Sequence, residues 1–245
     1  MRYVLAAVLA SSTIMASPLS SMAAPGVDPY SPGSSGFDVS YPQCGSSLPN
    51  GQFGIVGVNH GRPFDQNPCL SSEYAHWTSH ALYINTGYDP IYTDSNHTTP
   101  ACTSSSARVA GTAAQKAAWA AGCSEASKSS AYAASVGATG PSAWWLDVEV
   151  ANSWSSSRLS LNRYTIRGIV DTLHQLSTAP VGIYSNSYMW SRIAGSFHPN
   201  GVSADWYATG TGSASSAKAY CGTGFSGHPV WLAQFVTQFD GNYAC

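Results

Sequence analysis

Trp144-Trp145-Leu146-Asp147-Val148-Glu149-Val150 places two carboxylates inside an otherwise apolar run. The chain has only twelve acidic residues in 245. An aromatic and β-branched run of this kind, bounded on one side by Gly140-Pro141 and on the other by Ala151-Asn152-Ser153, is expected to be a strand. Side chains two apart on a strand share a face. Asp147 and Glu149 should therefore project together, with Leu146, Val148 and Val150 turned the other way. In a barrel the apolar set would pack on outer helices and the acids would point inward at the strand's C-terminal end, where barrel enzymes carry their catalytic groups.

The surrounding pattern supports a barrel. Further strands are expected at Phe37–Ser40, Phe53–Asn59, Ala81–Thr86, Val181–Ser185, Asp205–Thr209 and Val230–Phe235, with Ala143–Val150 in the middle. Helices are expected from about Asn162 to Ser177, with Ile166, Ile169, Val170, Leu173 and Leu176 on one face and Asn162 as the cap. An Ala-rich helix fits Thr112–Ser135, and shorter ones fit Ser71–Ser79 and Ser187–Ala194. Strands alternating with helices imply parallel βα units. The expected fold is α/β: an irregular (β/α) barrel of the TIM type, with helices mainly in its first two thirds. An open doubly wound sheet is the alternative, but no Gly-rich turn joins the first strand to a helix.

The N-terminus reads as an export signal. Arg2 precedes the apolar run Tyr3 to Ala10, and Ser21 and Ala23 are small residues spaced for cleavage after Ala23. The apolar run is too short to span a bilayer. Residues 1–23 are thus expected as a signal peptide, 24–35 as a short flexible lead-in and 36–245 as a single domain of a secreted monomer. The net charge of −2 suggests no nucleic-acid or anionic-membrane partner. Six cysteines in an exported chain imply disulfides. Fifteen pairings are possible; sequence proximity favours Cys44–Cys69, Cys102–Cys123 and Cys221–Cys245. No Cys-x-x-Cys spacing supports a metal site, and no cofactor is expected.

Two carboxylates close together in a partly buried site cannot both ionise cheaply, so one should hold a proton near neutrality. A protonated acid beside a charged partner is what glycoside hydrolysis requires. Structural roles in backbone or arginine binding are the plain alternative for such a pair. Other strand-end residues add candidates: Asp38 in Gly36-Phe37-Asp38-Val39-Ser40, Gln234 on the last strand, and Asp240, which also suits a turn. Asp205 begins its strand and is expected to be structural. Eight Trp and fourteen Tyr could offer stacking faces to sugar rings. His76 and His80 lack a third ligand nearby and are expected as ordinary surface or core histidines, and Asn96-His97-Thr98 fits a glycosylation sequon. A Gly-x-Ser-x-Gly elbow and a His-Glu-x-x-His motif are both absent.

In this order the segments resemble the glycoside hydrolase family 25 lysozymes (N-acetylmuramidases) and, more closely, their glycoside-hydrolase-like relatives of undefined activity. Gly36 to Ser40 with Gln43 matches the family's opening strand, Asp147 and Glu149 its Asp-x-Glu pair. Pro180, Ile183, Tyr184 and Ser185 match its Pro-x-x-Ile-Tyr-Ser strand. Trp231, Gln234 and Phe235, followed by Asp240 and Asn242, match its close. The resemblance implies cleavage of the β-1,4 bond between N-acetylmuramic acid and N-acetylglucosamine in peptidoglycan. Glu149 would be the general acid. Asp147 would orient the substrate's 2-acetamido group or stabilise the transition state, and Asp38 would line the cleft. Asp240, Gln234, Tyr184, Trp231 and Tyr83 would contact the substrate. Two departures stand out. The second strand ends Gly57-Val58-Asn59-His60-Gly61, where the lysozymes carry Lys-Ala-(Thr/Ser)-Glu-Gly, and the third reads Leu82-Tyr83-Ile84-Asn85 without the usual Tyr-His pair. A non-catalytic glycan-binding or wall-associated protein on the same barrel is the alternative expectation.

Overall fold

Eight strands close on themselves in sequence order. A computed structural model describes residues 26–245, and the expected signal peptide, residues 1–23, lies outside them. The strands are β1 (Ser35–Val39), β2 (Gly54–Gly57), β3 (His80–Asn85), β4 (Trp144–Asp147), β5 (Val181–Ser185), β6 (Ala204–Thr211), β7 (Val230–Val236) and β8 (Asp240–Ala244). Neighbours from β1 to β7 pair in parallel, whereas β8 is antiparallel to both β7 and β1. The fold is thus mixed α/β around a closed eight-stranded barrel. The last strand was not expected from the sequence. Asp240-Gly241-Asn242 reads as a turn, but Thr237–Phe239 forms the turn of a hairpin and Asp240 opens the returning strand.

Six helices lie between the strands: α1 (Leu70–Tyr74), α2 (Pro100–Ser106), α3 (Ala113–Ser135), α4 (Leu159–Leu176), α5 (Ser187–Ile193) and α6 (Ala214–Ala217). The Thr112 hydroxyl accepts the Gln115 backbone N–H, and the Gln115 side chain accepts the Thr112 N–H, so a capping box starts α3. Thr99 caps α2 by accepting from Cys102, with Pro100 at the first helical position. That helix was not expected, although Thr-Pro is a start signal. The cap expected at Asn162 is corrected: α4 begins three residues earlier, and Asn162 lies within it, tying Ser155 to Ile193 through its amide. Ser71–Ser79 is also shorter than expected, so His76 and His80 do not share a helix.

Alternation along β4 separates two packing zones. Trp145 turns into the barrel, where it packs with Tyr30, Phe53, Ile55, Trp206 and Trp231. Leu146 and Val148 turn outward onto Ile166, Ile169, Val170 and Leu173 of α4. Val150, expected beside them, is exposed because the strand ends at Asp147 and the chain turns away. Within the expected lead-in one residue is tied to the barrel. The Tyr30 side chain is buried in the barrel floor, and its hydroxyl accepts from the Trp145 indole N–H at 3.0 Å.

The three disulfides join Cys44–Cys69, Cys102–Cys123 and Cys221–Cys245, as sequence proximity suggested. They tie, respectively, the loop after β1 to the start of α1, α2 to α3, and the end of β8 to the loop before β7. Among the described residues no helix is long and apolar enough to cross a membrane.

Helices α3 and α4 cross at two glycines. A Cβ on Gly122 would lie 2.1 Å from the Thr165 carbonyl oxygen, and one on Gly168 would lie 2.2 Å from that of Trp119. Backbone oxygens cannot step aside as a flexible side chain can, so the helices would have to separate. Gly168→Ala is expected to cost roughly 1–3 kcal/mol despite its better helix propensity. Urea unfolding of the two proteins measures it; an unchanged or raised midpoint would refute the close crossing.

Candidate active site

Asp147 is the last residue of β4 and points into the mouth of the barrel, two residues above Trp145. Its Oδ2 accepts from Asn85 Nδ2 at 2.5 Å and from Asn152 Nδ2 at 3.4 Å. The Asp147 carbonyl takes Thr86 Oγ1 and the Asn152 amide, which pins the strand end itself. Oδ1 is buried without a partner among the described residues. Glu149 follows just past the strand, half-buried, and its carboxyl accepts none of the bonds that fix Asp147. Both acids line one cleft of about 310 Å³ together with Asp38, Asp240, Tyr83 and Asn85. The expectation that Asp38, Asp147 and Glu149 face a common hollow is met by this geometry.

Asp38 and Asp240 reach that cleft from paired strands. They stand directly opposite each other across β1 and β8. Asp38 accepts from Asn242 Nδ2 at 2.8 Å and from Gln234 Nε2 at 3.2 and 3.1 Å on its two oxygens. Gln234 in turn accepts from the Tyr184 hydroxyl at 2.8 Å, and Asn242 accepts from the Trp206 indole at 2.7 Å. Gln234 and Tyr184, expected to touch substrate, are tied into this network, Gln234 donating to Asp38 and Tyr184 to Gln234. Trp231 is corrected outright: it packs in the barrel interior, edge-on to Trp145 at 6.4 Å, below the cleft. Tyr83 and Asp240 do line the cleft. Asp205, expected to be structural, is fully buried and accepts from the Ser226 backbone and hydroxyl.

Among the described residues lining the cleft there is no Lys or Arg. Where the lysozymes carry Lys on the second strand, this chain has Gly57. A Cβ there would lie 2.5 Å from Ser40 Oγ and 2.6 Å from the Tyr83 ring, so Tyr83 occupies the space. His60, in place of the glutamate, is exposed and packs on Tyr41 with ring centroids 4.0 Å apart.

With no cation, carboxyl protons are held tightly. Burial, and secondarily the Asp240 charge, push the Asp38 carboxyl up to about 7 against the donors from Asn242 and Gln234. Burial and then Glu149 hold Asp147 well above the ordinary carboxylate range. Glu149 is raised by burial and by Asp240, and Asp240 by burial. Asp147 and Glu149 titrate as a pair, retaining a proton where isolated carboxyls would have lost it.

Sequence reasoning overlooked Asn85 and Asn152, which orient Asp147. Asn85 was findable as a polar residue near the end of its expected strand Ala81–Thr86; it lies level with Asp147 across β3 and β4. The use of Asn152 depends on a turn that strand periodicity does not foresee.

The comparisons agree with this architecture. A family model described as Lysozyme-like protein 1 matches residues 121–239. The bacterial lysozyme from Streptomyces coelicolor superposes with a TM-score of 0.56 at 19% identity, covering 86% of this chain and 92% of that one. The muramidase from Acremonium alcalophilum gives 0.53 at 16%, and that from Trichobolus zukalii gives 0.51 at 16%; each comparison covers 86% of this chain and 93% of the other. No curated protein matches in sequence. Residues 121–239 match the lysozyme-like family model, and the fold is shared with lysozymes and muramidases, consistent with the resemblance read from the sequence.

The buried acids set the direction of pH dependence. Asp38, Glu125 and Asp205 are each raised to about 7, chiefly by burial, from ordinary values of 3.8, 4.5 and 3.8. The folded chain therefore binds more protons than the unfolded one between about pH 4 and 7, and stability falls as pH rises through that window. The thermal midpoint is expected to drop by roughly 5 °C or more from pH 4.5 to pH 8. A midpoint that rises over the same range, read by circular dichroism, would contradict the burial of these groups.

Proposed function

We propose that this protein is a secreted glycoside hydrolase that cleaves peptidoglycan or a related amino-sugar polymer by carboxylate acid/base chemistry. The observation that carries the reading is the meeting of Asp38, Asp147, Glu149 and Asp240 in one open cleft without a neutralising cation. The lysozyme-like fold makes a cell-wall glycan the natural substrate class. Three disulfides suit an oxidising, extracellular setting, in keeping with the N-terminal export pattern. We further infer a single-domain monomer whose barrel is an irregular (β/α) form of the TIM type.

The roles follow from exposure and hydrogen bonding. Glu149 is the half-buried member of the pair, so it can reach a bound glycan. The proton retained between it and Asp147 is the one delivered to the glycosidic oxygen as the C–O bond breaks. Asp147, fixed by Asn85 and Asn152, is placed to orient the substrate's 2-acetamido group or to stabilise the positive charge growing at the anomeric carbon. Asp38 adds to that stabilisation from across the cleft. Tyr83, with its hydroxyl held protonated by burial and the surrounding acids, offers a hydrogen bond and a ring face.

Glu149→Gln removes the deliverable proton with almost no change of shape. Release of reducing ends from purified peptidoglycan is expected to fall at least about a hundredfold, with the thermal midpoint retained. Wild-type protein that binds the glycan, releases nothing and is indifferent to Glu149→Gln would instead support a non-catalytic glycan binder.

A further inference from the structure

Beside the C-terminal end of β2, outside the cleft lining, lies a carboxyl that the proposed reaction does not use. Glu125 of α3 is 2% exposed and forms no ion pair within 4 Å among the described residues. Its Oε1 accepts from Asn59 Nδ2 at 2.9 Å and from Ser129 Oγ at 2.8 Å, and its Oε2 accepts from the Phe64 backbone N–H at 2.6 Å. Phe64 sits at φ 65°, in the left-handed region that side-chain-bearing residues rarely adopt. A buried carboxylate is a costly way to fill space, so its acceptor-only chemistry needs a use.

Asn59 supplies that use. It is fully buried just past the end of β2. Its Oδ1 accepts the backbone N–H of Asn85 at 2.9 Å, standing in for the ladder acceptor that β2 no longer provides. Asn85 then donates its own amide to Asp147 Oδ2. A side-chain amide can turn over and exchange oxygen for nitrogen. Ionised Glu125 opposes this together with the Asp65 backbone carbonyl, which takes Asn59 Nδ2 at 3.2 Å: both only accept, so Nδ2 of Asn59 faces them and Oδ1 faces Asn85.

We propose that Glu125 and Asn59 are positioning residues for the acid pair: Glu125 locks the Asn59 amide, Asn59 anchors the end of β3, and Asn85 there holds Asp147. This rests on the reading of Asp147 and Glu149 as the reacting pair. Neither Glu125 nor Asn59 lines the cleft, and the Asn59 side chain reaches the acid pair through Asn85.

The test is a carbon-13 carboxyl titration of Asp147 by NMR, paired with kcat and KM on peptidoglycan. In Asn59→Ala the Asn85 donor loosens, the charged form of Asp147 loses support, and its midpoint is expected to rise by about half a pH unit or more. The kcat is expected to fall about tenfold, with KM within about twofold of wild type. Asn85→Ala should shift Asp147 further in the same direction. Glu125→Gln should also raise the midpoint. Removing the Glu125 charge would by itself lower it, so an upward shift reads lost positioning. Asn59→Ser serves if Asn59→Ala does not fold. Asp205→Asn, at a buried acid outside the network, should lower the thermal midpoint and leave Asp147 unmoved. An Asp147 midpoint unchanged in the Asn59 variant, or unchanged or lowered in Glu125→Gln, overturns the proposal. Wild-type protein that releases no reducing ends overturns the hydrolase reading instead, and the titration still decides the network.

Discussion

The alternation of side chains along β4 is the constraint from which the rest of the molecule follows. Trp145 inward closes the barrel with the other aromatic residues of its floor, and Leu146 and Val148 outward seat α4. The same alternation raises Asp147 above that dry floor, at the level where the strands end and water begins. A one-residue slip of β4 would exchange these sets, burying the carboxyl against helix and turning the tryptophan out. The cost of either error is large, so the register that builds the core also aims the acid.

Having been aimed, the acids must be tolerated. The cleft answers their charge with amide donors and not with cations: Asn85 and Asn152 for Asp147, Asn242 and Gln234 for Asp38. Amides orient a carboxyl without neutralising it, so burial and mutual repulsion still raise proton affinity. An Arg or Lys in their place would favour the ionised form, which is the wrong one for donating a proton. The space that a lysine would need beside Gly57 is filled by Tyr83, a neutral donor. The departures from the lysozyme pattern thus keep the cleft uniformly anionic when ionised, and the walls formed by Tyr41 and Tyr83 are its own.

Much of this was legible beforehand in particular residues. Seven strand segments, the Ala-rich and amphipathic long helices and the Asp147–Glu149 pair each carry a local signal: period, propensity or turn residues. The failures have local causes too. Asp240-Gly241-Asn242 has turn chemistry yet begins β8, because its partners in the sheet outweigh its propensity. Asn162 resembles a cap but is used inside α4 to join two loops. Tyr30 looked like part of a tail, and only the aromatic floor shows why it is held.

The sequence by itself determined seven of the eight strands and the two long helices, that two carboxyls share a face, and which cysteines lie near enough along the chain to pair. These are properties of neighbours in the chain, set by backbone period and loop length. Closure of the barrel by an antiparallel β8, the convergence of Asp38 and Asp240 on the β4 acids, and the line from Glu125 through Asn59 and Asn85 to Asp147 were decided by tertiary structure. Each joins residues dozens to hundreds of positions apart, and what fixes them is packing geometry and hydrogen-bond satisfaction in the folded interior, which no local pattern encodes.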